Sequence, residues 1–204
     1  MSLPNVNRKA GWILFAIAAL EGAWVVANWM HGGERFTRYL GFGAGLAGTW
    51  WGWAAGVVVT AGFVRMSLRF PSVRENLLRP SGLKVLGLAV AITAGILEEV
   101  MFRKWIMDAL ATRGLGIVLQ VLASALAFGL LHGVWGLMGK SVRAALGATV
   151  ATGLLGGALA IVYVLAGRSL APCVASHFLI NALIEPGLVL AACRGEMARD
   201  PGTR

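Results

Sequence analysis

The sequence predicts an all-α fold, a polytopic transmembrane helical bundle of about six spanning helices that forms one membrane-embedded domain over residues 1–204. Three observations predict it. Of the 204 residues, 58% are hydrophobic and only 13% are charged, which is too apolar for a soluble domain of this size. Apolar runs of the roughly 20 residues needed to cross a hydrocarbon core recur at 10–30, 39–64, 83–102, 114–138, 142–166 and 170–192. The 28 glycines repeatedly fall four apart, as in Gly48/Gly52/Gly56, Gly129/Gly133 and Gly153/Gly157, a spacing that lets helix backbones approach closely in a bilayer.

The first run carries Glu21 and has no small-residue cleavage pattern after a short apolar core, so it is expected to be a retained helix and not a signal peptide. Trp50, Trp51 and Trp53 interrupt the second run, either as an aromatic belt or as packing against the bundle. The connection from Arg65 to Lys84 is the longest and most basic, with Arg69, Arg74 and Arg79 beside Pro71 and Pro80. Placing it in the cytoplasm puts both termini and two thirds of the 18 Lys and Arg residues there. The net charge of +9 therefore reads as positive-inside topology and not as a nucleic-acid surface.

The third and fourth runs meet at Arg113-Gly114, midway between Glu98 and His132. Antiparallel helices joined there bring the two side chains to one height, each roughly 25 Å from the turn. The end of the third helix, with Arg103, Lys104, Asp108 and Arg113, must then project from the bilayer or bend along its surface. On the sixth run Ser169 is the expected N-cap and Pro172 lies in the first turn, which sets His177 roughly 12 Å below the start of the helix. The site is thus expected to be shallow on that side and open to it. Cys173 and Cys193 on this run would be roughly 30 Å apart along an intact helix, too far for a disulfide.

Ionisable groups within spanning helices cost roughly 2.5 to 3.5 kcal/mol each and mark shared polar cavities. Glu98 and Glu99 are neighbours, about 100° apart on a helix, and so need different roles. Glu99 and Arg103 have the spacing of an ion pair that neutralises both, which leaves Glu98 to face a cavity as a general base. Gln120, Ser124, Phe128 and His132 form one stripe on the fourth helix, and Cys173, His177, Asn181 and Glu185 another on the sixth before Pro186-Gly187 interrupts it. A carboxylate and an imidazole at one height can hold and deprotonate water, while a second imidazole and a carboxamide can donate to an oxyanion. Together these are the parts of an amide hydrolase. Glu98, His132 and His177 could also supply three ligands to zinc, although no close two-His pair anchors a metal on one helix. Asp108 and Asp200 are the only aspartates, and neither lies deep in a spanning run, so an aspartyl dyad is excluded. There is no His-Glu-x-x-His, and Cys173 beside His177 reads as inert packing.

Glu98-Glu99-x-x-x-Arg103, Phe128-x-x-x-His132 and His177-x-x-x-Asn181, on successive apolar helices, resemble the three-motif signature of the CPBP family, the CAAX proteases and bacteriocin-processing enzymes also called the Abi family. The resemblance covers roughly residues 83–190, the expected catalytic core. It implies a glutamate-type intramembrane endopeptidase in which Glu98 activates water and His132 helps to position it. Glu99 and Arg103 would support the site, Phe128 would pack under His132, and His177 with Asn181 would form the oxyanion hole. No cofactor is implied, apart from the zinc described for some of the family. The expected partners are a membrane-associated peptide or protein substrate and the lipid bilayer, with no nucleic acid, in an integral multi-pass protein of a bacterial-type plasma membrane. Two other function classes compete: a non-catalytic scaffold or immunity factor of the same fold, and a small polar-cavity transporter, which the absence of an internal repeat disfavours.

Overall fold

The computed structural model describes residues 3–138 and 141–198. Among these it is all-helical. Its elements are α1 (Leu3–Gly32), α2 (Glu34–Tyr39), α3 (Trp50–Ser67), α4 (Pro71–Asn76) and α5 (Gly82–Glu99), a π-helical continuation (Val100–Met107), then α6 (Asp108–Thr112), α7 (Ile117–His132), α8 (Val134–Met138), α9 (Val142–Leu165), α10 (Ala171–Ile184) and α11 (Gly187–Cys193). A short 3₁₀ turn (Glu196–Ala198) follows. Hydroxyl caps begin three of the long helices: Thr49 accepts from Gly52 N, Ser81 from Lys84 N and Ser141 from Ala144 N, each satisfying an amide that has no partner inside its helix.

Among the described residues four helices are long and apolar enough to cross a membrane: Pro4–Gly32, Gly82–Thr112, Ile117–Gly136 and Val142–Leu165. They become five when Ala171–Ile184 and Gly187–Cys193, bent by 56°, are taken as one broken span. The expected count of about six therefore falls to four or five on length and composition. The difference lies in the second run, which is helical only from Trp50, and whose tryptophans and Arg65 leave α3 less apolar than the others. Residues 40–49 turn irregularly instead, with positive φ at Gly41, Gly45 and Gly48.

Small residues set the packing. A Cβ on Gly52 would lie 2.6 Å from Ala166 Cβ, and one on Gly56 2.4 Å from Ser176 Oγ, so α3 lies directly against α10 and the loop before it. Gly129 meets Thr149 O and Gly153 in the same way, closing the antiparallel α7/α9 pair. On α1, Val6, Ala10 and Leu14 form a four-residue stripe buried against Val90 and Ala94 of α5 and Val189 and Leu190 of α11. Large apolar side chains on the opposite faces, such as Leu20, Val58, Leu126 and Leu154, are exposed, as a bilayer-facing surface requires.

The last span corrects two expectations. The N-cap of α10 is Leu170, not Ser169, although Ser169 Oγ still accepts weakly from Ala171 N at 3.4 Å. The cysteines do not share a helix, because α10 ends at Ile184 and α11 begins only at Gly187, after Pro186. Both are free, with Cys173 buried.

Candidate active site

The α6–α7 turn does fall at Arg113-Gly114, where Gly114 has φ +77°, and α5 and α7 run back from it to bring Glu98 and His132 together. Glu98 Oε2 lies 3.7 Å from His132 Nε2 and 3.8 Å from His177 Nε2. These separations are beyond direct hydrogen bonding, and Glu98 Oε2, though buried, has no hydrogen-bond partner among the described residues. Three polar atoms from three helices thus converge on one point, on the wall of a cavity of about 320 Å³ that Asn181 also lines, one turn beyond His177.

Glu99 takes the other side of the same imidazole. Its Oε1 is 2.8 Å from His177 Nδ1, and its Oε2 is 2.9 Å from Arg103 Nε. Arg103 donates onward through Nη1 to Ser124 Oγ at 2.7 Å. Glu99 and Arg103 are both completely buried. The two adjacent glutamates therefore reach opposite nitrogens of one histidine, a consequence of the 100° offset between neighbouring helix positions. Arg103 stands in the π-helical turn, an element the sequence reading did not anticipate and one frequent at functional sites.

The tautomers follow from the acceptors. His132 Nδ1 is 2.9 Å from the carbonyl of Phe128, which can only accept, so Nδ1 carries the hydrogen and Nε2 of the neutral ring is an acceptor toward Glu98. Glu99, paired with Arg103, is an acceptor too, so His177 also carries hydrogen on Nδ1. Phe128 stacks on His132 with ring centroids 4.4 Å apart and meets Phe102 edge-on. It has room because residue 156 is glycine: a Cβ there would come within 2.8 Å of Phe128 Cβ. Gly156→Ala is expected to displace the Phe128 ring, cost about 1–3 kcal/mol of stability through overpacking, and lower activity. A thermal melt and a rate measurement on one preparation check this, and unchanged values for both would refute the role given to Gly156.

The structure also places residues that no motif marked. Glu21 of α1 lines the cavity and accepts from Thr93 Oγ1 at 3.0 Å. Glu185 lines it beyond Asn181, accepting from Val189 N. The sequence signal for Glu21 is only a charge within an apolar run, whereas Glu185 also continues the four-residue stripe of His177 and Asn181. At the far end of the bundle, Asp108 pairs with Arg168 and accepts from Tyr163 Oη, while Arg168 also donates to Gln120. Lys104 lies 3.5 Å from Asp108. The end of the long Gly82–Thr112 helix is therefore tied to the loop after α9.

The cavity extends toward the basic face and not toward the start of α10. Beyond Glu98, His132 and His177, its walls include the end of α3 and the residues that follow it (Phe63 to Phe70), the first half of α9 (Ala144 to Leu155), the end of α10 and Met197. All of these lie toward the basic connection 65–84 and the C-terminal segment. The site is near the start of α10, but that end carries the Arg168 loop, bonded to Asp108 and Gln120, and the cavity lining reaches the basic face instead.

Among the described residues no group of three His, Cys, Asp or Glu side chains is arranged to hold a metal ion. Comparison with curated proteins and with solved structures gives no match. A family model described as type II CAAX prenyl endopeptidase Rce1-like matches residues 80–183, just over half of the chain. The match runs from just before α5 almost to the end of α10 and includes every residue of the three motifs. On that match the chain belongs to the Rce1-like family of type II CAAX prenyl endopeptidases, which are CAAX-type intramembrane proteases.

Proposed function

We propose that this protein is a glutamate-type intramembrane endopeptidase that hydrolyses a peptide bond with water activated by Glu98 and steadied by His132. The carrying observation is the convergence of Glu98 Oε2, which has no hydrogen-bond partner among the described residues, with the Nε2 atoms of His132 and His177. A water held there donates one hydrogen to Glu98 and the other to the acceptor nitrogen of His132, which leaves an oxygen lone pair for attack on a carbonyl carbon. As the C–O bond forms, Glu98 takes the proton. It returns that proton to the amine nitrogen as the C–N bond breaks.

The oxyanion is met from α10. Asn181 supplies a neutral N–H donor. His177 has its Nδ1 hydrogen committed to Glu99, so it donates to the oxyanion through Nε2 when both ring nitrogens carry hydrogen. Glu99 is then a positioning residue that holds the ring in this orientation, and Arg103 and Ser124 hold Glu99. No step requires a metal. The substrate is a membrane-associated peptide or protein segment reaching the site through the mouth on the basic face.

Purified protein in detergent, given a pooled library of membrane peptides, tests this reading. Cleavage by wild type that is lost in Glu98→Ala and His177→Ala and unaffected by a strong chelator is the expected result. Loss with chelator, restored by zinc, would replace the mechanism with a metal-dependent one. Absence of any cleavage by folded protein would favour the scaffold. Asn181→Ala is expected to lower kcat by about 10²–10³-fold, the effect of removing one oxyanion donor, with a small change in KM. A loss confined to KM would instead make Asn181 a binding group.

A further inference from the structure

The cavity mouth is bordered by two short pieces of chain far apart in sequence. Arg69 and Phe70 line it on one side, immediately before α4, and Met197 lines it on the other, within the 3₁₀ turn. The residues next to these edges are bonded to each other. Glu196 accepts from Ser72 Oγ at 2.5 Å and from Ser72 N at 3.2 Å. Arg194 Nη1 donates to Ser72 Oγ at 2.9 Å and lies 3.4 Å from Glu75 Oε2. Ser72 is completely buried, so water does not compete for its hydroxyl. One helix away, a Cβ on Gly187 would lie 2.5 Å from Val73 Cα, so α4 rests on the start of α11 with no side chain between them.

We propose that α4 and residues 194–198 form a latch, closed by the Ser72–Glu196–Arg194 network, that sets the width of the cavity mouth and must release for a bulky peptide to reach Glu98. Three features support this. The bonds join the two edges of the mouth directly, since Ser72 is two residues from Phe70 and Glu196 is adjacent to Met197. α4 has only six residues, too short to be stable without tertiary contacts, so its position depends on what holds it. α4 also meets Gly187 of α11 backbone to backbone and is anchored by the completely buried Val73, so release moves its Phe70 end about that anchor and not the whole helix. The latch lies outside the residues that the family model matches, so it is a property of this chain and not of the shared core.

The test reads access and needs no turnover, so it is independent of whether the proteolytic reading holds. Ser67, buried in the cavity wall behind Phe70, is changed to Cys in a Cys193→Ser background, and its reaction with a small thiol reagent is followed in detergent. Buried Cys173 reports global unfolding in the same molecule. Glu196→Ala is expected to speed labelling at position 67 by about tenfold or more, as loss of a charge-assisted hydrogen bond shifts a local opening equilibrium, with Cys173 unreacted. Ser72→Ala, a milder change, is expected to act in the same direction. Unchanged labelling at position 67 in both variants would overturn the proposal. So would simultaneous labelling of Cys173 in both, because the network would then hold the fold and not the mouth.

Discussion

Glu98→Gln is expected to lower kcat for peptide hydrolysis by roughly 10²–10⁴-fold, the contribution of a general acid–base group, with little change in KM or in thermal stability. The amide has nearly the shape of the carboxylate but cannot take a proton from water. Glu98 Oε2 holds no hydrogen bond among the described residues, so the substitution at that atom leaves none of them without a partner. His132→Ala is expected to lose less, because His132 only steadies the water. The double variant should be little worse than Glu98→Gln alone, since both residues act on one molecule and their effects are not additive. Rates of the three variants on one cleavable peptide decide the matter. A Glu98→Gln enzyme within a few-fold of wild type would remove Glu98 from the chemistry.

Arg103→Met should be the most destabilising change at the site. It strips a completely buried guanidinium from Glu99 and Ser124, and breaking a buried pair by removing one partner costs about 3–5 kcal/mol because the other charge is left behind. The expected readout is a large fall in Tm in detergent together with loss of activity, since Glu99 also holds His177 at 2.8 Å. Adding Glu99→Gln to Arg103→Met removes the stranded charge and is expected to recover much of the stability, because apolar or neutral replacement of both partners of a buried pair is often close to neutral. A single variant as stable as wild type would show that the pair does not hold the helix. A double variant less stable than the single would show that the cost lies in packing and not in charge.

The sequence by itself determined the fold class and the identity of the residues that meet. Composition demands a bilayer, and a bilayer demands helices, because every backbone polar group must be satisfied within its own segment. Spacing then did the rest: i, i+4 pairs placed Glu99 with Arg103 and Phe128 with His132, and equal distances from the Gly114 turn brought Glu98 level with His132. These are local or symmetric relations that a straight helix preserves. What only the tertiary structure decided depends on contacts between segments far apart in the chain. Glu99 is shared between Arg103 on its own helix and His177 on α10. Glu21 reaches the cavity because α1 lies along α5 through Gly11 and Gly22. The direction of the mouth does not follow from the depth of His177 below the start of α10, since depth along one helix says nothing about which end neighbouring segments close. The loop carrying Arg168 is bonded to Asp108 and Gln120 at one end, while Arg69, Phe70 and Met197 line the cavity at the other. Periodicity along a helix encodes which face is buried, but not what covers its ends.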